Sequence, residues 1–200
     1  DAAVSLGNAE YILVINYFGT SDDSVRRSLK RFGHSKTIVD GSQSYFSTHA
    51  GAAATVWSPR KFFGLPDGGL LYSDDPRIQQ PKNRDSTSES RMSHLISRIT
   101  NSPERAFQAY LEAEQAIAGL PVLGMSRLTE RLLHSVNYKA AKNALTRNAR
   151  WLHKCLGDFN QLRLNLSDCP APMCYPFLPK VKAVTRAELI GKRVFVPSYW

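Results

Sequence analysis

The fold of this chain is decided by one short stretch, Thr55-Val-Trp-Ser-Pro-Arg-Lys-Phe-Phe-Gly-Leu-Pro-Asp-Gly-Gly69. The apolar run of residues 52–57 predicts a strand, and the chain then turns at Ser58-Pro59. It enters a second strand at residues 69–72. A parallel crossover needs about a dozen residues or more, and the connection from Lys61 to Gly68 is very short. We therefore expect the two strands to run antiparallel.

A lysine and an aspartate at strand ends mark the predicted site. Asp40 ends an apolar strand at residues 37–40, and Lys61 lies on the turn after the next strand. Ligands of open α/β sheets bind beyond the carboxyl ends of the strands, so we expect both charges at one rim. We also expect Lys61 to be desolvated at a buried strand end, which would favour its use as an amine nucleophile. Pyridoxal phosphate needs both groups, because its aldehyde condenses with a lysine and its ring nitrogen takes an acidic partner.

The spacing Asp40-x-x-Gln43, then Ser58-Pro-x-Lys61, then Asp67-Gly-Gly69, resembles the cofactor core of the DegT-type sugar aminotransferases. These are fold-type-I enzymes that depend on pyridoxal 5'-phosphate. The resemblance implies that Lys61 binds the cofactor covalently, that Asp40 pairs with its ring nitrogen, and that Gln43 lies against it. It is specific only within residues 12–72, although it spans most of the chain.

Two further residues are candidates for cofactor binding, but each also has an ordinary role in a turn. Ser58 is a candidate for the cofactor phosphate, but it could equally start the turn. Asn16 lies in an Asn-Tyr-Phe-Gly turn and is a candidate for the phenolic oxygen of the cofactor, although asparagine is common in turns. The later segments Ser126-Arg-Leu-Thr129 and Pro172-Met-Cys-Tyr-Pro176 also fit the family.

The chain also departs from the family pattern. Val56 stands where many members carry a phosphate-binding serine, so the phosphate-binding residues stay open. No Gly-x-Asn-x-Arg segment follows the lysine, and the family's N-terminal phosphate-binding helix and stacking aromatic are not found. We therefore expect these residues to be an interior portion of a longer enzyme.

The predicted fold class is α/β, with a mostly parallel sheet as in the large domain of aspartate aminotransferase-like enzymes. Residues 1–120 would form part of the cofactor-binding domain, and residues 121–200 a small, incomplete α+β domain. An apolar strand at residues 11–15, a helix and the strand at residues 37–40 form the predicted βαβ unit.

Downstream of the sheet the sequence predicts mainly helices. Ser86-x-x-Glu89 is a capping box, and an apolar face follows it at Met92, Leu95, Ile96 and Ile99. Further helix starts are predicted at Ser102-Pro103, at Ser126 and near Tyr138, and a short helix at residues 185–190. Short strands are predicted at residues 162–166, 175–178 and 193–196.

Composition narrows the classes of function. The net charge of +9 is spread along the chain without a Lys/Arg block or interleaved aromatics, so a solvated basic surface is favoured over a nucleic-acid-binding face. No apolar run is long enough to span a bilayer, so a membrane partner is not expected. Three cysteines indicate reduced thiols and a cytoplasmic protein, and their spacing predicts no zinc or other metal site.

The predicted function is transfer of an amino group from an amino-acid donor to a keto sugar, which the resemblance implies is nucleotide-linked. The resemblance also implies a homodimer. Two alternatives stay open. One is a non-catalytic member that binds the cofactor or another ligand as a sensor or scaffold, and the other is a basic nucleic-acid-binding module.

Overall fold

A computed structural model describes residues 10–49, 51–181 and 184–199. In these ranges the chain forms an α/β structure with a four-stranded, mostly parallel sheet and six α-helices. The strands are β1 Ile12–Ile15, β2 Thr37–Asp40, β3 Ala54–Trp57 and β4 Leu70–Tyr72. The helices are α1 Asp22–Phe32, α2 Ser93–Thr100, α3 Pro103–Ala118, α4 Arg127–Ser135, α5 Tyr138–Leu156 and α6 Arg186–Gly191.

The sheet has the strand order β1-β2-β3-β4, and the first three strands are parallel. β4 pairs antiparallel with β3, in the register Thr55 to Tyr72 and Trp57 to Leu70. This pairing confirms the antiparallel prediction, and the twelve residues between Trp57 and Leu70 contain a 3₁₀ turn but no crossover helix.

The predicted βαβ unit is also confirmed, as β1, α1 and β2 with β1 and β2 adjacent and parallel. Val25 and Leu29 of α1 are buried against Val39 of β2 and Ala52, and Val14 of β1 packs at the edge of this cluster. Because successive strand residues point to opposite faces, this core lies on one face of the sheet. The residues between them point away from α1.

The face of the sheet opposite α1 carries the more exposed apolar side chains. Leu13 of β1 is 60% exposed and Leu71 of β4 is 54% exposed. Asp40 lies on the same face, because the register aligns it with Ile15 on one side and Val56 on the other. The carboxylate at the end of β2 is therefore placed on the side of the sheet that α1 leaves uncovered.

The capping box predicted at residues 86–89 does not form. The carboxylate of Asp85 accepts hydrogen bonds from the backbone and the hydroxyl of Thr87, and a 3₁₀ turn follows at Ser88–Arg91. The helix α2 begins only at Ser93. Its predicted apolar face is also wrong in part, because Ile96 and Ile99 are exposed, while His94 is buried.

The other predicted helix starts are confirmed. Ser102 and Ser126 cap α3 and α4, each accepting a hydrogen bond from the backbone amide three residues on. Pro103 occupies the first helical position of α3. The helix α5 begins at Tyr138 as predicted, and its cap is Asn137, which accepts from the Ala140 amide at 3.0 Å.

The three short strands predicted downstream are wrong. Residues 162–166, 175–178 and 193–196 are irregular, and the 160s carry only a single bridge between Asn160 and Pro179. The Asn160 side chain accepts the amides of Leu162 and Leu178, so those groups are paired locally and not in a ladder. An alternating pattern forms a strand only where a neighbouring strand is available.

The short helix predicted at residues 185–190 is confirmed as α6. Thr185 and Glu188 form its capping box, each accepting from the backbone amide of the other. Since the described part of residues 121–200 holds helices without a strand ladder, the α+β character predicted for this region is not seen there. The division of the chain near residue 120 stays a prediction.

Within the described ranges, no helix is both long enough and apolar enough to cross a bilayer.

Candidate functional site

The ends of β2 and β3 are held side by side by backbone hydrogen bonds. Asp40 is aligned with Val56, and the Gly41 amide donates to the Val56 carbonyl at 2.8 Å. A Cβ on Gly41 would lie 2.9 Å from the Val56 carbonyl oxygen and 3.0 Å from the indole of Trp57. Glycine is therefore required at position 41 for the two strand ends to approach this closely.

Asp40 is half-buried at this rim, and its carboxylate is only partly used. Its Oδ1 accepts the Ser42 amide at 2.8 Å, which forms a tight turn after β2. Within the described ranges, neither Asp40 nor Lys61 belongs to an ion pair. The remaining oxygen of Asp40 can therefore accept a hydrogen bond from a cationic ligand.

Lys61 ends the 3₁₀ turn Pro59–Lys61 that follows β3. Pro59 is buried and starts this turn, and the Lys61 amide donates to the Ser58 carbonyl at 3.2 Å. The Lys61 side chain is exposed. The expectation of a desolvated lysine is therefore wrong for the chain by itself, although the neighbouring Arg60 of the same turn pairs with Glu114 of α3.

Five aromatic rings pack around the residues that follow Lys61. Tyr45 stacks on Tyr138 with ring centroids 6.0 Å apart, and it meets the ring of Phe63 edge-on at 5.1 Å. Phe46 and Phe62 complete the cluster. Burial raises the pKa of Tyr45, and a smaller contribution in the same direction comes from its interaction with the Tyr138 hydroxyl. The cluster ties the loop after Asp40, the lysine turn and the start of α5 together.

Asn16 is fully buried, and its side chain is engaged within the fold. Its amide nitrogen donates to Asp22 and lies 3.2 Å from Nε2 of His49, and its oxygen accepts the Ser21 amide at 3.1 Å. The side chain therefore fixes the turn from β1 into α1. Both hydrogens of the Asn16 amide nitrogen are thus directed to partners within the fold, so the side chain has no donor left for the predicted hydrogen bond to the phenolic oxygen of a cofactor.

His49 belongs to the same buried cluster. Burial lowers the pKa of His49, and the charge of Asp22 opposes this only in part. The Ser47 hydroxyl donates to the second oxygen of Asp22 at 3.1 Å. These contacts give His49 a packing role in the loop after β2.

Gln43 and Ser58 both follow strand ends at the rim, and they differ in how far their side chains are hydrogen-bonded within the fold. The Gln43 side-chain oxygen accepts a hydrogen bond from the backbone amide of Phe18 at 3.1 Å, and Phe18 has a left-handed φ of 58°. Its amide nitrogen has no hydrogen bond among the described residues. Ser58 is half-buried before the lysine turn, and its hydroxyl does not cap that turn. Since it has no hydrogen bond within the described part of the chain, the Ser58 hydroxyl is available to bind an anion.

The Asp67-Gly-Gly69 segment meets the Ser126-Arg-Leu-Thr129 segment in space. Thr129 donates its hydroxyl to Asp67 Oδ1 at 2.5 Å. Gly68 has a φ of 100°, and a Cβ there would lie 2.9 Å from the Thr129 methyl group. Two motifs that are about sixty residues apart in the sequence are thus in contact at the end of the connection that leads from Lys61 to β4.

Arg91 completes this junction and was not found from the sequence. Its side chain is 2% exposed and bonds Asp67 Oδ2 at 2.6 Å, Asp85, and the Thr87 hydroxyl at 2.8 Å. Arginine is almost never fully buried unless it is paired. No feature of the local sequence distinguishes Arg91 from the other arginines of the chain. Its partners Asp67 and Asp85 lie 24 and 6 residues away in the sequence, so only the folded structure shows the contact.

Comparison of the chain with models of protein families, with characterised proteins and with solved structures gives no match. The family resemblance stated from residues 12–72 therefore stays a prediction. Function has to be argued from the geometry at the ends of β2 and β3.

Proposed function

We propose that this protein is a pyridoxal-phosphate-dependent aminotransferase of the DegT type. Its acceptor would be a keto sugar, nucleotide-linked as in the family, and its donor an amino acid. One observation carries the proposal, namely the placement of Asp40 and Lys61 at the carboxyl ends of adjacent parallel strands. This is the edge of an open α/β sheet where ligands are usually bound.

The residues at this rim fit the cofactor in three respects. Asp40 offers a carboxylate oxygen that has no partner among the described residues, Lys61 offers an amine with no described partner, and Ser58 offers a hydroxyl for the phosphate. Bound pyridoxal phosphate would supply an aldehyde that condenses with amines and a ring that withdraws electrons from the substrate carbon.

Each of these side chains would have a definite task. Lys61 would bind the cofactor covalently and, once released by the incoming amine, would move a proton as general acid and base. Asp40 would hold a proton on the ring nitrogen by its charge, through a charge-assisted hydrogen bond. The free amide nitrogen of Gln43 would donate a hydrogen bond and help to orient the ring.

We further propose a homodimer, as the resemblance implies. Lys61 is exposed, and amine chemistry of this kind is favoured when water is excluded from the site. A second subunit that covers the rim would supply this exclusion. Sedimentation of the full-length protein at micromolar concentration tests it, and a monomer would contradict the proposal.

The exposure of Lys61 also favours the second candidate, a ligand-binding protein without catalysis. Such a protein would bind pyridoxal phosphate at the same rim without exchanging amino groups. Cofactor-dependent exchange between an amino acid and a keto acid distinguishes the two candidates. Binding without exchange would support the sensor or scaffold function.

Trapping of the cofactor tests the proposal at the level of one residue. The full-length protein, mixed with pyridoxal phosphate and reduced with borohydride, should carry the label on Lys61 in a peptide map. Lys61→Ala should abolish this label, whereas Lys30→Ala, which removes an exposed lysine of α1, should leave it intact. Labelling of other lysines with Lys61 unmodified would refute the assignment.

A further inference from the structure

The outward face of α4 carries a cluster of basic side chains. An open pocket of about 400 Å³ lies between this helix and the segment before Asp85. Its lining residues are Arg84, Arg127, Glu130, Arg131 and His134. Among the described residues, no Phe, Tyr or Trp side chain lines it.

Helical spacing explains how these side chains come together. Arg127, Arg131 and His134 are separated by four and three residues, so they lie on one face of α4. The buried residues Thr129 and Leu133 lie on the other side, and Thr129 is the one that bonds Asp67. The basic pocket therefore faces away from the contacts of Thr129 and Arg91 with Asp67.

Arg84 reaches the pocket from a different segment and is held in place. The backbone on both sides of it pairs with Gly124, through hydrogen bonds of 2.8 and 2.9 Å. Its guanidinium donates to Glu130 Oε2 at 2.5 Å. The hydrogen bond from Arg84, with its charge, lowers the pKa of Glu130, and His134 and Arg127 act in the same direction. Glu130 is thus an ionised side chain that orients Arg84.

The charges around the pocket do not balance. Three arginines against one carboxylate leave a local charge of +2. Among the described residues, Arg84 has an ion pair at the pocket with Glu130, whereas Arg127 and Arg131 line the open volume without one. The guanidinium fork matches the oxygens of a phosphate group in geometry.

We propose that this pocket binds a small molecule bearing a diphosphate group, at a site separate from the rim of Asp40 and Lys61. The volume lies within the roughly 300–1,000 Å³ that is usual for small-ligand pockets. A diphosphate matches the excess positive charge better than a single carboxylate does. The inference does not depend on the proposed aminotransferase activity, because it rests on α4 and the segment of Arg84.

Calorimetric titration with inorganic pyrophosphate tests the site. The full-length protein should bind it, and Arg127→Ala/Arg131→Ala should weaken the affinity by about tenfold or more, since charge-assisted contacts are lost. The matched control is Arg147→Ala/Arg150→Ala, which removes the same charge from exposed positions of α5. The control should change the affinity by less than about twofold, because its charges lie outside the pocket. Circular dichroism of both variants should show unchanged helix content.

Three results would overturn the proposal. The first is absence of binding at millimolar pyrophosphate, and the second is equal weakening by both double variants, which would show only an effect of net charge. The third is tighter, salt-sensitive binding of a single-stranded DNA oligomer that the Arg127/Arg131 substitutions abolish, which would assign the face to nucleic acid. Lys61→Ala should bind pyrophosphate as the parent protein does, so failure of cofactor labelling and failure of this site are separate outcomes.

Discussion

Arg91→Met should be among the most destabilising substitutions outside the apolar core. Arg91 is 2% exposed and bridges the carboxylates of Asp67 and Asp85, which are themselves nearly buried. Methionine fills similar space without charge, so the substitution leaves two ionised groups without their cation. The hydrogen bond from Thr129 to Asp67 remains, but it replaces only part of the lost interaction.

The magnitude follows from the burial of the network. Removing one partner of a buried ion pair costs about 3–5 kcal/mol, because the other charge is left unpaired in a poorly solvated site. For a chain of this length each kcal/mol shifts the melting temperature by about 2–4 °C. We therefore expect the melting temperature to fall by roughly 6–20 °C.

Thermal unfolding followed by circular dichroism measures this fall. The matched control is Arg77→Met, which breaks the pair with Asp75 at an arginine that is 79% exposed. Exposed ion pairs contribute little, so the control should melt close to the parent protein. Asp85→Asn should also cost less in the Arg91→Met background than in the parent, since the two side chains interact directly. Equal melting temperatures for Arg91→Met and Arg77→Met would refute the reasoning.

The same network gives a pH dependence with a definite sign. Burial by itself would raise the pKa of Asp85, but hydrogen bonds from Thr87 and the charge of Arg91 outweigh it and lower that pKa. A carboxyl group with a lowered pKa stabilises the fold above its unfolded pKa of about 3.9, and this contribution is lost as the pH falls through the folded value. The parent protein should therefore lose stability below about pH 4 more steeply than Arg91→Met does. Parallel stability profiles of the two proteins would contradict this.

Three further predictions concern single side chains. Gly41→Ala should destabilise the protein by about 1–3 kcal/mol in chemical denaturation, because its Cβ would overlap the Val56 carbonyl; an unchanged midpoint would show that the strand ends can separate freely. Ser126→Ala should cost about 1 kcal/mol through loss of the α4 cap, measured in the same way, and no loss would mean that the cap is redundant. Asp40→Asn in the full-length protein should still bind pyridoxal phosphate but lose most amino-group exchange, and near-normal exchange would remove Asp40 from the site.

Local chemistry was enough to predict much of the framework. The strand at residues 37–40 was predicted with the bounds it has, and the short connection after β3 predicted its antiparallel pairing with β4. The starts of α3 and α4 followed from Ser102 and Ser126. These features depend on residues close in sequence, through caps and turn lengths, so the sequence by itself determines them.

Features that depend on a distant partner were decided only by the tertiary structure. The alternation of residues 162–166 predicts a strand, yet no neighbouring strand meets it and Asn160 takes up the nearby amides instead. The capping box predicted at residues 86–89 is absent, and Asp85 instead accepts hydrogen bonds from the amide and the hydroxyl of Thr87 before a 3₁₀ turn. A pattern states what a segment can form, whereas pairing and competing hydrogen bonds decide what it does form.

The candidate site divides in the same way. The sequence placed Asp40 and Lys61 at the ends of neighbouring strands, because strand ends and turns can be located from local pattern. It did not reveal that Lys61 is exposed, that Asn16 is occupied by Asp22 and His49, or that Arg91 is buried between two aspartates. Burial and hydrogen-bond partners arise from segments far apart in the chain, so only the packed structure determines them.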